Sequence, residues 1–157
     1  MIINIIAAVG KNLELGKNNR LIWPIKEDLK YFKEKTIEKT VVMGENTYNS
    51  IGKALPNRNN IVLSYDKKKI KDVTVINDYN EVFSLDEKEI FIIGGASVYK
   101  LFLPYAENLY LTEIDMEDKD ADCYFPSFDK TKYVKEIIGV NTKDDINYSF
   151  VCYRRKE

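Results

Sequence analysis

Short runs of Ile, Val and Leu recur along the chain, each too brief for an ordinary helix and too continuous for a strand with one wet face. They are "MIINIIAAV" at 1–9, "TVVM" at 40–43, "NIVLS" at 60–64, "VTVI" at 73–76, "EIFII" at 89–93 and "LYLTEID" at 109–115. A strand that is apolar on both sides must be covered on both sides. Between these runs lie stretches of helical period: residues 25–35, "NTYNSI" at 46–51, a segment near 80–85, and "SVYKLFL" at 97–103, which Pro104 stops. Alternation of buried strands with helices predicts an α/β fold, a mostly parallel central sheet with helices on both faces. From 133 onward the pattern changes. "YVKEIIGV" and "YSFVCYRR", joined by the polar "NTKDDIN", read as an antiparallel edge hairpin. With 157 residues, no repeat and no Pro/Gly/Ser linker, one domain spanning 1–157 is expected.

Function classes are narrowed most by a residue that is missing. The chain has no histidine, so it has no His general base, no Ser-His or Cys-His nucleophile, and no zinc site of the usual Cys/His kind. The 24 Lys and Arg nearly cancel 25 Asp and Glu, and a net charge of -1 gives no reason to expect nucleic acid or an anionic membrane as partner. The opening segment carries Asn4 and lacks a basic n-region, so it reads as a buried strand rather than a signal peptide, which implies a cytoplasmic protein. Cys123 and Cys152 lie in no CxxC and read as reduced, buried or half-buried small hydrophobes.

One helix breaks its own pattern. In "WPIKEDLKYF" (23–32) Ile25, Leu29 and Phe32 share a stripe, while Lys26, Glu27, Lys30, Lys33 and Glu34 take the opposite face. Asp28 falls inside the apolar stripe. Acids near a helix N-terminus suit the dipole without any further role. Glu27 already meets that need on the exposed face, however, so an inward Asp28 must find a partner or change its pKa.

Two strand-to-helix junctions carry glycine. Gly94-Gly95 follows "EIFII", and Gly44 follows "TVVM" with Thr47 soon after. Such turns let a phosphate approach backbone amides, and in a parallel sheet they gather on one edge. A Gly-Gly turn alone is weak support, because tight turns need glycine with or without a ligand, and the GxGxxG fingerprint is absent. Thr47 and Ser50 serve equally well as local caps. The segment "GKNLELGKNNRLIW" (10–23) is either a plain connector or a lid. Arg58, in "LPNRNN", is either an ordinary surface arginine or a fork for a carboxylate or phosphate.

Taken together, "IIAAVGKNLELGKNNRLIW", "EDLKYFK", "VVMGENTYNSIGKALPNRNNIVLS", "FIIGGASVY" and "LYLTEID...ADCYFP" resemble bacterial dihydrofolate reductase in order and spacing. The resemblance runs from Met1 to the last strand. It implies NADPH-dependent reduction of 7,8-dihydrofolate to tetrahydrofolate for one-carbon metabolism and thymidylate synthesis, in a monomer that binds antifolate inhibitors. By residue-by-residue matching, Asp28 would hydrogen-bond the pterin's pyrimidine edge and be the acid of the site. Thr112 would hydrogen-bond Asp28, and Trp23 would hold an ordered water near the pterin. Ile6, Ala8, Leu29, Phe32, Ile51, Leu55, Ile93 and Tyr99 would line the pocket, with Arg58 on the substrate's glutamate α-carboxylate. For the cofactor, Ala8, Leu15 and Gly16 would flank the nicotinamide. Gly44, Asn46, Thr47, Leu63 and Ser64 would hold the adenosine and phosphates, together with the turn Gly94, Gly95, Ala96, Ser97, Val98 and Tyr99, whose Gly94-Gly95 bond is typically cis in the family.

The sequence departs from that family in three places. Ile22 stands where proline often precedes the Trp, and Pro24 follows it. Ala96 replaces a third glycine. Glu45 and Ser97 occupy positions that are commonly basic in the cofactor site. Two alternatives compete with the reductase reading. A pyrimidine reductase of riboflavin synthesis shares the fold and NADPH, but its substrate has no glutamate tail for Arg58. A non-catalytic nucleotide-binding module would have no use for Asp28 in an apolar pocket.

Overall fold

A computed structural model describes residues Met1–Glu157. In chain order the elements are β1 (Ile2–Val9), β2 (Glu14–Lys17), β3 (Arg20–Leu21), α1 (Lys26–Thr36), β4 (Thr40–Gly44), α2 (Glu45–Ile51), β5 (Asn59–Leu63) and β6 (Thr74–Ile76). There follow β7 (Glu89–Gly94), α3 (Ala96–Phe102), β8 (Asn108–Ile114), β9 (Cys123–Tyr124), β10 (Tyr133–Lys143) and β11 (Ile146–Arg155). Eight strands form one sheet in the order β10-β11-β8-β1-β7-β4-β5-β6. Pairing is parallel from β8 through β6 and antiparallel at β8-β11 and β10-β11. The fold class expected from the apolar runs is the one observed.

Alternate residues of the inner strands serve opposite faces. Ile3 and Ile5 of β1, Val42 of β4 and Ile90 and Ile92 of β7 join α3's Val98, Tyr99 and Phe102 in the larger core. Ile6, Val41, Met43, Val62 and Phe91 point the other way, where Tyr31 and Phe32 of α1 pack on them. Each fully buried side chain of this size stabilises by about 1.5–3 kcal/mol, which explains why both faces must be apolar. Asn4, fully buried in β1, is tolerated because it is paired: its Nδ2 donates to Glu89 (2.7 Å), and its Oδ1 accepts from Asn108 (2.9 Å).

Several local expectations change. The segment 10–23 is not a bare loop. β2 pairs with β3 and with the distant β9 in a separate three-stranded sheet. The segment near 80–85 is a 3-10 helix over Tyr79–Ser84, opened by an Asp78–Glu81 capping box. Pro24 stands one residue before Ile25, the N-cap of α1. Pro104 sits within a further 3-10 turn, Leu103–Tyr105, that extends α3.

Candidate active site

Asp28 is in the first turn of α1, where Ile25 provides no side-chain cap. Only 9% of its surface is exposed. Opposite it stands Thr112 of β8, buried between Ala8 of β1 and Phe150 of β11, whose strands flank β8. The Thr112 hydroxyl donates to Asp28 Oδ1 at 2.5 Å. No cation pairs with this carboxylate. Burial therefore pushes its pKa up from the ordinary carboxylate range, and the Thr112 hydrogen bond only partly opposes the rise.

The surroundings of Asp28 are apolar and in part open. Ile6 is buried, and Phe32, Leu55 and Ile93 are half-buried against the same core face. Leu29 on α1 and Ile51 on α2 are exposed, at 49% and 36%. Tyr31 stacks on Phe150 with ring centroids 4.2 Å apart. Its hydroxyl is buried without a hydrogen-bond partner, and burial pushes its pKa up to about 12. Trp23, like Ala8 and Tyr31, packs against the cluster of Ile25, Ile114, Tyr148 and Phe150. It also lies against Gly10, where any Cβ would stand 2.7 Å from the Trp23 ring and 2.5 Å from Glu14 Oε1. Arg58 is half-buried and spends two donors internally, Nε on the Pro56 carbonyl (3.0 Å) and one terminal nitrogen on Thr36 Oγ1 (3.1 Å). Burial lowers its pKa.

Next along the carboxyl edge come the glycine turns. The Gly94-Gly95 peptide is cis, and Gly94 has φ +136°, a value that side chains rarely adopt. A Cβ on Gly94 would lie 3.2 Å from Thr47 Oγ1, so the two turns, after β7 and after β4, face each other. Tyr99 is buried, and its hydroxyl donates to the Ile6 carbonyl at 2.8 Å. Leu63 and Val98 are 4% exposed, and their side chains belong to the larger core. Asn46 and Ser97 are exposed, and Gly44, which packs on Val98, is buried. Thr47, Gly95 and Ala96 are half-buried. Leu15 and Gly16 lie in β2, with Leu15 against the larger core.

Two features escaped the sequence. Glu14, 1% exposed, accepts from the Asn12 amide with one oxygen and from the Asp118 amide with the other, both at 2.7 Å. It thereby ties the β1-β2 turn to the segment before β9. In a polar stretch such as "KNLELGKNN" nothing distinguishes a carboxylate that tertiary contacts will bury. Glu45 stands where the family commonly has a basic residue, and the sequence does not show what meets its charge. It accepts from Ser64 Oγ (2.8 Å) and pairs with Lys67 Nζ (2.6 Å).

A parallel sheet with two facing glycine turns on its carboxyl edge, and a buried acid without a cation two strands away, defines a dinucleotide-dependent α/β enzyme. Comparisons name the family. The model of the family described as dihydrofolate reductase matches residues 2–155. The dihydrofolate reductase of Buchnera aphidicola subsp. Acyrthosiphon pisum is 44% identical, with 99% of this chain and all of the relative covered. That of Bacillus subtilis is 38% identical over 98% of this chain and 95% of the relative. The solved dihydrofolate reductase from Enterococcus faecalis, complexed with NADP(H) and RAB-propyl, superposes with a TM-score of 0.88 at 30% identity, covering 99% and 97% of the two chains. The chain belongs to the dihydrofolate reductase family.

Proposed function

We infer that the chain is an NADPH-dependent dihydrofolate reductase, converting 7,8-dihydrofolate to tetrahydrofolate and so feeding one-carbon metabolism. The observation that carries this reading is Asp28: a buried carboxylate with a hydroxyl as its only side-chain partner, on the sheet edge that carries the glycine turns. Such a group is suited to a ligand that brings its own N–H donors to the free oxygen. A pterin's pyrimidine edge does so.

Bound NADPH supplies hydride to the pterin carbon beside the imine nitrogen, and that nitrogen gains a proton. The chain's part is to hold and orient. Asp28 fixes the pyrimidine edge and favours the protonated ring, electrostatically or through water held by Trp23, while Thr112 fixes the carboxylate. Ile6, Ala8, Leu29, Phe32, Ile51, Leu55, Ile93 and Tyr99 form the walls that exclude water. Arg58 has donors beyond those spent on Pro56 and Thr36 and receives the glutamate carboxylate with them. The residues of the two turns fit a dinucleotide's phosphates, since the space at Gly94 and Gly95 beside Thr47 Oγ1 is space that a side chain would fill. Gly44, Asn46, Ala96 and Ser97 complete that cradle, the backbones of Leu63 and Val98 contribute to it, and Leu15 and Gly16 approach from β2.

No helix is long and apolar enough to cross a membrane. The reading places one domain, residues 1–157, in the cytoplasm as a monomer with both cysteines reduced, which their free state supports. Thermal shift with the antifolate methotrexate, with and without NADPH, tests the reading. Ligand at 100 times its dissociation constant should stabilise by about 2.7 kcal/mol, and NADPH absorbance should fall on mixing with dihydrofolate. No shift and no oxidation would reject it.

A further inference from the structure

We propose that the outer end of the nucleotide site is built around the carboxylate of Glu45 and accepts an unphosphorylated ribose about as well as a 2′-phosphorylated one, so that NADH as well as NADPH drives the reaction. The proposal rests on the dihydrofolate reductase reading and adds to it the class of reductant.

Sheet order fixes where that end lies. Along β8-β1-β7-β4-β5 the carboxyl edge carries Thr112 with Asp28 across from it, then Ala8, the Gly94-Gly95 turn, Thr47 beyond Gly44, and Ser64. A dinucleotide with its reactive ring beside Ala8 and its diphosphate over the two turns brings its adenosine ribose to the end of β5. In dinucleotide sites on such sheets an acidic side chain takes the ribose hydroxyls, whereas an arginine accommodates a 2′-phosphate.

The side chains at the end of β5 are of the first kind. Gly44 pairs with Leu63, so Glu45 and Ser64 leave their strands side by side. Glu45 accepts from Ser64 Oγ with Oε1 and holds Lys67 with Oε2, and its side chain is only 23% exposed. Asp66 brings a second carboxylate, its Oδ1 3.0 Å from the same Ser64 hydroxyl, whose single proton serves one acid at a time. Ser64 Oγ also accepts from the Lys67 amide (3.1 Å). Lys68 is turned toward Asn77 Oδ1, 3.3 Å away. The arginines are all elsewhere: Arg20 on β3, Arg58 on Thr36 and Pro56, and Arg154 and Arg155 on β11.

A 2′-phosphate brings nearly two negative charges at neutral pH. It would face Glu45 and Asp66 and would have to draw Lys67 and Ser64 away from Glu45. A 2′-hydroxyl needs no such rearrangement. It can donate to a spare lone pair of Glu45 and leave the Lys67 pair in place. The chemistry is the same for both donors: hydride leaves the dihydronicotinamide ring and forms the new C–H bond of the pterin, solvent supplies the proton to the adjacent nitrogen, and the oxidised nicotinamide departs as NAD+ or NADP+. The 2′ group takes no part in it, so discrimination is a matter of affinity.

Calorimetric titration of the full chain with ADP and with 2′,5′-ADP isolates the 2′-phosphate, and kcat/KM for NADH and NADPH reads the consequence. The expected preference for the phosphorylated member is less than about tenfold in both, whereas one charge-assisted hydrogen bond alone is worth about ten- to a hundredfold. Glu45→Arg should widen the preference at least tenfold, and Glu45→Gln, which keeps the shape, should widen it less. A preference of a hundredfold or more in the parent, or one that neither variant moves, overturns the proposal. If neither nucleotide supports dihydrofolate reduction, the reductase reading fails, while the ADP and 2′,5′-ADP titrations still decide the character of the subsite.

Discussion

Two regions on the carboxyl edge of one sheet hold a carboxylate, and they treat it in opposite ways. Around Asp28 the protein supplies burial, a hydroxyl and no cation, so proton affinity rises and one oxygen is left for a ligand. Around Glu45 it supplies Lys67 and Ser64, so the charge is met within the protein and a ligand finds a completed cluster. The first arrangement lowers the stability of the ionised fold and sets up a binding group. The second meets its charge within the protein and bears on which ribose the site takes. A carboxylate's role here follows from its neighbours rather than from its position on the edge.

The sharpest way to break that comparison is Asp28→Asn. The amide keeps the shape and can still accept from Thr112, but it removes the charge that favours a protonated pterin. Proton-transfer assistance of this kind is worth about a hundredfold or more in rate, and a loss of that size is expected at pH 7 while NADPH affinity stays as in the parent. The loss should narrow at low pH, where substrate is already protonated. Steady-state kcat/KM across pH checks it, and full activity at pH 7 would remove Asp28 from the chemistry.

Arg58 asks whether a cation fixed on Pro56 and Thr36 also works on the substrate's tail. Arg58→Leu should raise KM for dihydrofolate by about ten- to a hundredfold, the equivalent of one charge-assisted fork, with kcat changed far less. A substrate truncated before the glutamate separates binding from packing. If it suffers equally, the hydrogen bonds to Pro56 and Thr36 are the whole of what Arg58 does.

What sequence could and could not reveal divides along the same line. The large sheet was readable because its inner strands bury both faces and so write continuous apolar runs. The small sheet was not, because β2, β3 and β9 are four, two and two residues long and carry no period. Asp28 stood out as a break in a helical stripe. Glu14 did not, since its burial depends on an amide 104 residues away. Glu45 was visible as a charge of unexpected sign, but its partner Lys67 becomes a neighbour only when β5 pairs with β4. Periodicity reports which way a side chain points. It does not report who meets it there.

A smaller effect is expected from Thr112→Val, which keeps the volume and removes the one side-chain donor to Asp28. That hydrogen bond is the influence that lowers the Asp28 pKa, so its loss should move the acid limb of the pH–activity profile upward. A hydrogen bond to a charged group is worth about 1.5 kcal/mol at the low end, enough for the move to show in the profile. A profile that does not move would mean that water replaces the hydroxyl.

The smallest effect is on stability, and its sign separates the two regions. Because burial raises the Asp28 pKa in the folded chain, the fold binds that proton more tightly than the unfolded chain does. The stability linked to Asp28 is therefore fully present below the unfolded value of about 3.9 and is lost as pH rises through the folded value. Asn at position 28 has no proton to lose. Asp28→Asn should thus melt higher than the parent at pH 7, with the difference shrinking as pH falls and vanishing below the ordinary carboxylate range. Glu45→Gln should show no such gain at pH 7, because it removes an acid that Lys67 already balances. Melting temperatures of the three proteins between pH 4 and 8 test this. If Asp28→Asn melts lower than the parent at pH 7, the Thr112 hydrogen bond outweighs burial, and the cleft holds its carboxylate as firmly as the edge of β5 holds Glu45.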